Sequence, residues 1–247
     1  MGIYRNIYEK QLINNERKGE KTVCVILIKR KGQKLPKSYL ERAFRSNPHG
    51  AGLMFCKKGR VEIHKGFMSL PDLARAIADV EAKHDLVIHL RFRSHGAISP
   101  ALTHPFPLLA SRKWLATLDL ACDIGIAHNG IIPGFGETDD ESTSDTTDFI
   151  QVVGSKFNNN LPGLTQVLTA VGGKFAIMTQ TGEITTVGNF TKDPATGLVA
   201  SNNCAFPISL PTKKTGFDWS KYQGNPPKLW DKHDCLLPTD YVYEGKK

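Results

Sequence analysis

Paired cysteines are missing from this chain. Cys24, Cys56, Cys122, Cys204 and Cys235 are odd in number and widely separated, with no C-x-x-C pair among them. That spacing argues against a zinc ribbon and against a disulfide framework, and an odd count leaves at least one thiol free. Long apolar runs are also missing, and none approaches the roughly 20 residues that cross a bilayer. Met1 to Thr22 is polar and charged, without the apolar stretch of a secretory signal, so the expected location is cytoplasmic and no membrane partner is expected. Although the net charge is +8, no run of five or six Lys or Arg occurs. A solvated, mildly basic surface is therefore favoured over a nucleic-acid footprint. Eight histidines are present, but without H-E-x-x-H or paired Cys/His spacing, so no metal is expected.

No Pro/Gly/Ser-rich linker interrupts residues 24 to 206, and 247 residues with 40% hydrophobic content suffice for one large core. The expected organisation is an N-terminal extension over 1–23, one domain over 24–206 and an irregular tail over 207–247. Within the tail, Lys213, Lys214, Trp219, Lys221 and Tyr222 interleave charge with aromatics, which keeps nucleic acid as a weakly indicated partner.

The β-branched and aliphatic run from Thr22 to Lys29 reads as a first core strand. A helix is expected to open at Lys34-Leu35-Pro36 and end near Asn47-Pro48. Ala51–Cys56 and Arg60–Lys65 read as a hairpin, and Ser69 caps a helix that buries Leu73, Ile77 and Val80. Further strands are expected over Asp85–Phe92, Trp114–Leu120 and Ile124–His128, with Asn129-Gly130 as a turn. A flexible acidic connection then runs from Ile131 to Thr143. Ser144 caps the next helix, Leu161–Val171 forms another, and Lys174–Thr179 with Glu183–Asn189 makes a second hairpin. A last short strand is expected at Leu198–Ser201. Strands paired as hairpins, without strict strand-helix alternation, point to antiparallel sheets covered by helices.

Cys24, near the start of the first strand, is the candidate nucleophile. An unperturbed thiol is mostly protonated at neutral pH and needs a base to become a thiolate. A cysteine at the very start of a chain can use its own α-amino group, whose reference pKa is about 7.7 to 8.0. Four later segments accompany it: Leu90-Arg91-Phe92-Arg93-Ser94-His95-Gly96, His104-Pro105, His128-Asn129-Gly130 and Ser144-Asp145-Thr146. Together with Gly173-Lys174-Phe175-Ala176, in this order and spacing, they resemble the glutaminase domain of class II glutamine amidotransferases, the N-terminal-nucleophile type. In size the chain looks like the short, stand-alone bacterial and bacteriophage members.

The resemblance implies an α+β fold, a four-layer α/β/β/α sandwich of two antiparallel sheets as in N-terminal-nucleophile hydrolases. It implies that Cys24 attacks the carboxamide of glutamine to give a thioester and ammonia, with no cofactor. Asn129 and the Gly130 N–H would hold the oxyanion, Arg91 the substrate α-carboxylate and Asp145 the α-ammonium. Ser94 and His95 would line the pocket, with His104 and His128 in support. A separate ammonia-accepting synthetase or transferase is implied as partner. Arg93 and Phe92 depart from the family's usual pattern around the arginine.

Plainer readings exist for each residue. Cys24 can be a buried strand cysteine, Arg91 a strand-end ion-pair partner, and Asn129-Gly130 a hairpin turn. Asp145 can be an acid favouring a helix dipole. Two other functions remain open: a catalytically silent interaction or inhibitor module, and an amidohydrolase acting on a different amide.

Cys24 is not the first residue here, and the family chemistry needs a free amine on it. Either a 23-residue propeptide is removed, or translation starts at Val23 as a GTG codon and the initiating residue is then cleaved. The second is favoured, because Lys18-Gly19-Glu20 can be encoded by a purine-rich ribosome-binding sequence at a suitable distance. Reading the gene checks this: a GTG codon at Val23 is expected, and any other valine codon excludes that start.

Overall fold

The computed structural model describes residues 24–94, 96–136 and 140–206. The expectations for the extension, the tail and His95 lie outside those residues. Residues 23–207 form one compact unit.

Its first strand, β1 (Val25–Lys29), is buried along its whole length. A strand of Val, Ile and Leu covered on both faces belongs at the middle of a layered structure. Chain order continues with α1 (Lys37–Ser46), β2 (Ala51–Lys57), β3 (Arg60–Phe67), α2 (Leu70–Ala78) and β4 (Leu86–Leu90). Next come β5 (Phe106–Pro107), α3 (Arg112–Ala116), β6 (Asp119–Cys122), β7 (Ile124–Asn129) and α4 (Asp145–Val152). The last elements are α5 (Leu161–Val171), β8 (Lys174–Thr179), β9 (Ile184–Val187), β10 (Thr191–Lys192) and β11 (Val199–Ala200).

The strands make a seven-stranded sheet in the order β10-β11-β1-β4-β2-β3-β6 and a four-stranded sheet in the order β5-β7-β8-β9. Every pairing is antiparallel. Ile26, Ile28, Met54, Val61, Ile63 and Val87 of the larger sheet meet Ala127, Ala176 and Met178 of the smaller one in a single core. On the other side of the smaller sheet, Phe149, Ile150, Leu164 and Leu168 from α4 and α5 pack on Phe106, Ile126, Phe175 and Ile177. The alternation of side chains along each strand assigns these two sets to opposite faces. The protein is thus mixed α and β with two antiparallel sheets, compatible with the expected sandwich.

Two helix starts agree with their sequence signals. The Ser69 side chain accepts from the Asp72 N–H at 3.3 Å, and Ser144 and Thr147 form a reciprocal capping box. Pro36 occupies the cap position of α1 rather than its first turn. The strand expected over Trp114–Leu120 is instead the helical turn α3 followed by β6 from Asp119. A short apolar run does not separate helix from strand by period, and tertiary contacts decided it. Leu115 is buried in the second core, and its carbonyl accepts from Lys65 Nζ at 2.6 Å. β7 also runs one residue further than expected, so Asn129 is paired with Lys174 rather than sitting in a turn. The stretch 131–143 is pinned at its described ends, where Ile132 and Thr143 are buried. Cys24, Cys56 and Cys122 are free thiols, whereas Cys204 is disulfide-bonded. A cross-link requires proximity in space, on which spacing along the chain is silent.

The aromatic ring of Phe149 should carry much of the second core. Phe149→Ala is expected to lower unfolding stability by about 3–5 kcal/mol. Val152→Ala, on the exposed side of the same helix, should change it by no more than about 0.5 kcal/mol. Urea denaturation of the two variants checks this, and equal midpoints would remove α4 from the core.

Candidate active site

The β1–β4 ladder pairs Val25 with Leu90. One step beyond the ladder, the same register sets Cys24 opposite Arg91. The Cys24 side chain makes a pair of contacts there: Sγ donates to Phe92 O and accepts from Phe92 N–H, each at 3.3 Å. On its other side Arg91 is held by β2, its N–H donating to Gly50 O at 2.8 Å while its carbonyl accepts from His49 N–H at 3.1 Å. The alignment of three strand ends thus fixes where the sulfur and the guanidinium begin.

Arg91 is buried, and its Nη1 donates to Ala97 O at 2.7 Å, closing the loop that follows β4 over the guanidinium. That loop is tied to the segment before α4, since Ala97 N–H donates to Glu141 O at 2.8 Å. Asp145, the first residue of α4, is also buried. One carboxylate oxygen accepts from Ile132 N–H at 2.9 Å and the other from Thr146 N–H at 2.7 Å. A carboxylate at a helix N-terminus with backbone donors is preorganised as an anion.

Burial pushes the Cys24 thiol up to about 11. The Phe92 hydrogen bond and the Arg91 charge oppose that rise, and the Asp145 charge adds to it. Arg91 is pulled below its ordinary value mainly by burial, while Cys24 and Asp145 push it up and Arg93 pulls it down. A thiol, a guanidinium and a carboxylate therefore lie within electrostatic reach of one another, drawn from β1, β4 and α4. Neither of the sulfur's two hydrogen-bond partners among the described residues is a base, so with residue 24 in peptide linkage the thiol stays protonated at neutral pH.

Asn129 and Gly130 stand at the end of β7, in the other sheet. The Asn129 side chain is buried and donates from Nδ2 to Ser201 Oγ at 2.8 Å. Gly130 has φ +150°, and a Cβ there would stand 3.0 Å from His128 Nε2. Glycine is needed at this position for both reasons. Ser94 is exposed on the loop after β4.

His104 and His128 lie with His89 in one buried cluster. The rings of His89 and His104 are 4.3 Å apart, and those of His104 and His128 are 6.4 Å apart. His128 stacks on Phe175 at 4.4 Å and shares a 2.9 Å hydrogen bond between Nδ1 and Thr146 Oγ1. His89 Nε2 meets His128 O at 2.9 Å. Burial is the largest cause of depressed basicity for all three, to about 3 for His89, about 4 for His128, and well below the ordinary value for His104. They are neutral packing groups rather than acids or bases at neutral pH. Lys65 is buried beside them, burial pushing it down to about 6. Its Nζ donates to Ala101 O and Leu115 O and lies 4.0 Å over the Phe106 ring.

The structure thus brings Cys24, Arg91 and Asp145 together and links Asn129 to the same end of β1 through Ser201. Sequence reasoning missed Ser201, Asn202, His49, His89, Lys65 and Thr146. Of these, Thr146 belongs to the Ser144-Asp145-Thr146 motif, whereas the others carry no local signal and are identified by long-range contacts. Among the described residues no group of three or more His, Cys, Asp or Glu is placed to hold a metal ion. Nor is any described helix long and apolar enough to cross a membrane. Neither the family models nor the curated proteins contain a match to this chain.

The neutral histidines set an acid limit. Unfolded, each titrates near 6.5; folded, His89 does not accept a proton until about 3 and His128 until about 4, and burial holds His104 well below its ordinary value too. Between those values the unfolded state binds more protons, so stability falls as pH falls. For His89 and His128 together the slope should approach roughly 2.7 kcal/mol per pH unit at its steepest, and His104 acts in the same direction. Urea midpoints at pH 7, 6 and 5 check it, and a flat profile would contradict the buried neutral cluster.

Proposed function

We propose that this chain is a glutamine-hydrolysing subunit of the class II amidotransferase type, with an N-terminal-nucleophile hydrolase fold. The reading is carried by one observation: a free thiol, a buried arginine and a buried aspartate converge from three elements at one end of the larger sheet. A free α-amino acid presents a carboxylate and an ammonium together, and an Arg–Asp pair recognises both. Arg91 would take the α-carboxylate and Asp145 the α-ammonium, which sets the side-chain carboxamide toward Cys24.

The chemistry follows once residue 24 carries a free amine. That amine takes the thiol proton, Sγ bonds to the carboxamide carbon, and the C=O π pair moves to oxygen. The Asn129 Nδ2–H and the Gly130 N–H would receive the oxyanion, donors worth roughly 2.7–4 kcal/mol each in transition-state stabilisation. Collapse expels the amide nitrogen, which leaves as ammonia with the proton that the Cys24 amine had taken from the thiol. Water then adds to the thioester, and glutamate departs as the thiol is restored. The released ammonia would serve a separate acceptor synthetase or transferase.

A second reading is an inactive interaction module. It is favoured by the burial that pushes the Cys24 thiol up to about 11 and by the absence, among the described residues, of a base hydrogen-bonded to Cys24. An amidohydrolase on a different amide is disfavoured, since peptides and acylated amines do not present an α-carboxylate and an α-ammonium on one carbon, the pair that Arg91 and Asp145 suit.

Comparing the full chain with protein beginning at Cys24 separates these readings. The shorter form is expected to hydrolyse glutamine, to leave N-acetylglutamine nearly untouched, and to lose kcat/KM by at least about 10²-fold in Arg91→Lys or Asp145→Asn. The full chain should be inactive. Equal hydrolysis of glutamine and N-acetylglutamine would support the alternative amidohydrolase, and no hydrolysis by either form would support the silent module.

A further inference from the structure

The end of β11 touches both halves of the site. Ser201 follows that strand and is almost fully buried, at 1% exposure. Its Oγ accepts from Ile26 N–H at 2.9 Å and from Asn129 Nδ2 at 2.8 Å. Its own N–H donates to Ile26 O at 2.9 Å, and its carbonyl accepts from Lys174 Nζ. Next in sequence, Asn202 donates from Nδ2 to Cys24 O at 2.9 Å and accepts Cys204 N–H on Oδ1 at 3.0 Å. Ile26 lies in β1 of the larger sheet with Cys24 immediately before that strand, and Asn129 and Lys174 lie in the smaller sheet. Two consecutive residues therefore fasten the nucleophile's strand to the strand end that carries the oxyanion amide.

We infer that Ser201 and Asn202 are positioning residues of the glutamine site, Ser201 for the Asn129 amide and Asn202 for the backbone of Cys24. This rests on the reading of the site as a glutaminase. An asparagine head turns about its terminal torsion with little intrinsic preference, so its direction is set by its hydrogen bonds. With one Nδ2 proton given to Ser201 Oγ, the head is held and the second proton remains for a developing oxyanion. Loss of the anchor leaves the donor present but unaimed, and misplacement of this kind costs rate in the chemical step more than substrate affinity. The Asn202 contact acts on the other reactant. It holds the carbonyl of the residue whose amine and thiol must face each other.

The test has an arm that needs no catalysis. In the 15N-labelled full chain, solvent exchange of the Asn129 side-chain amide protons should accelerate by an order of magnitude or more in Ser201→Ala, since burial and the hydrogen bond no longer protect them together. Ser201→Thr, which keeps the hydroxyl, should retain the protection. In the form that hydrolyses glutamine, Ser201→Ala should lower kcat by up to about 10²-fold with KM within about twofold. Alkylation of Cys24 by iodoacetamide, which develops no oxyanion, should proceed at the wild-type rate. Asn202→Ala should instead alter the pH profile of that alkylation. Thermal melting of each variant confirms that it is folded, and Ser201→Gly, which also removes the hydroxyl, carries the comparison if Ser201→Ala does not fold. Wild-type hydrolysis with an undiminished kcat in Ser201→Ala overturns the inference. A wild type that hydrolyses no glutamine in any form overturns the glutaminase reading instead, and the exchange arm still decides whether Ser201 aims Asn129.

Discussion

The register between β1 and β4 is the constraint on which the rest depends. Val25 opposite Leu90 places residue 24 opposite residue 91, and a slip of one residue would turn every side chain of β1 to the other face. Both faces of this strand are buried, Ile26 and Ile28 meeting the second sheet, so slippage would expose or mismatch the apolar groups at its four positions from Val25 to Ile28. The core thus sets the geometry of polar chemistry at its edge. The sulfur's two contacts with Phe92 extend the same ladder rather than forming a separate device.

From that edge the site is completed by elements far apart in the chain. β4 delivers Arg91, α4 delivers Asp145 at its first turn, β7 delivers Asn129 at its last position, and β11 ends in the two residues that join the sheets. Charge is placed economically. One buried cation and one buried anion face a thiol that burial keeps neutral, and the surrounding histidines are neutral as well. An arginine buried with a carboxylate within its field suits the recognition of a zwitterion, whose own charges offset the desolvation of both. Surface ion pairs such as Arg30 with Asp85 and Arg60 with Asp123 contribute little by comparison, since exposed pairs are worth about 0–1 kcal/mol.

The cluster of His89, His104 and His128 brings three neutral polar rings into the buried region between the sheets. Each ring packs face or edge against another ring, and His128 is tied to Thr146, beside Asp145. The cluster therefore connects packing to the orientation of the aspartate. A histidine in a motif is easily read as an acid or base. Here burial makes it a spacer whose hydrogen bonds matter and whose charge does not appear at neutral pH.

The sequence by itself determined most strands, most helices and the caps at Ser69 and Ser144, because alternation, apolar stripes and cap residues act over a few positions, as in the run from Val25 to Lys29. It also made Cys24, Arg91, Asn129, Gly130 and Asp145 candidates, through spaced motifs rather than through any one of them. Only the tertiary structure decided that Trp114–Ala116 is helical, that Asn129 ends a strand, and that Cys24, Arg91 and Asp145 share one environment. Ser201 and Asn202 were invisible beforehand for the same reason. The contacts that tie them to Asn129, Ile26 and Cys24 span 72 to 178 residues, and hydrogen bonds across such separations leave no periodic trace in the chain.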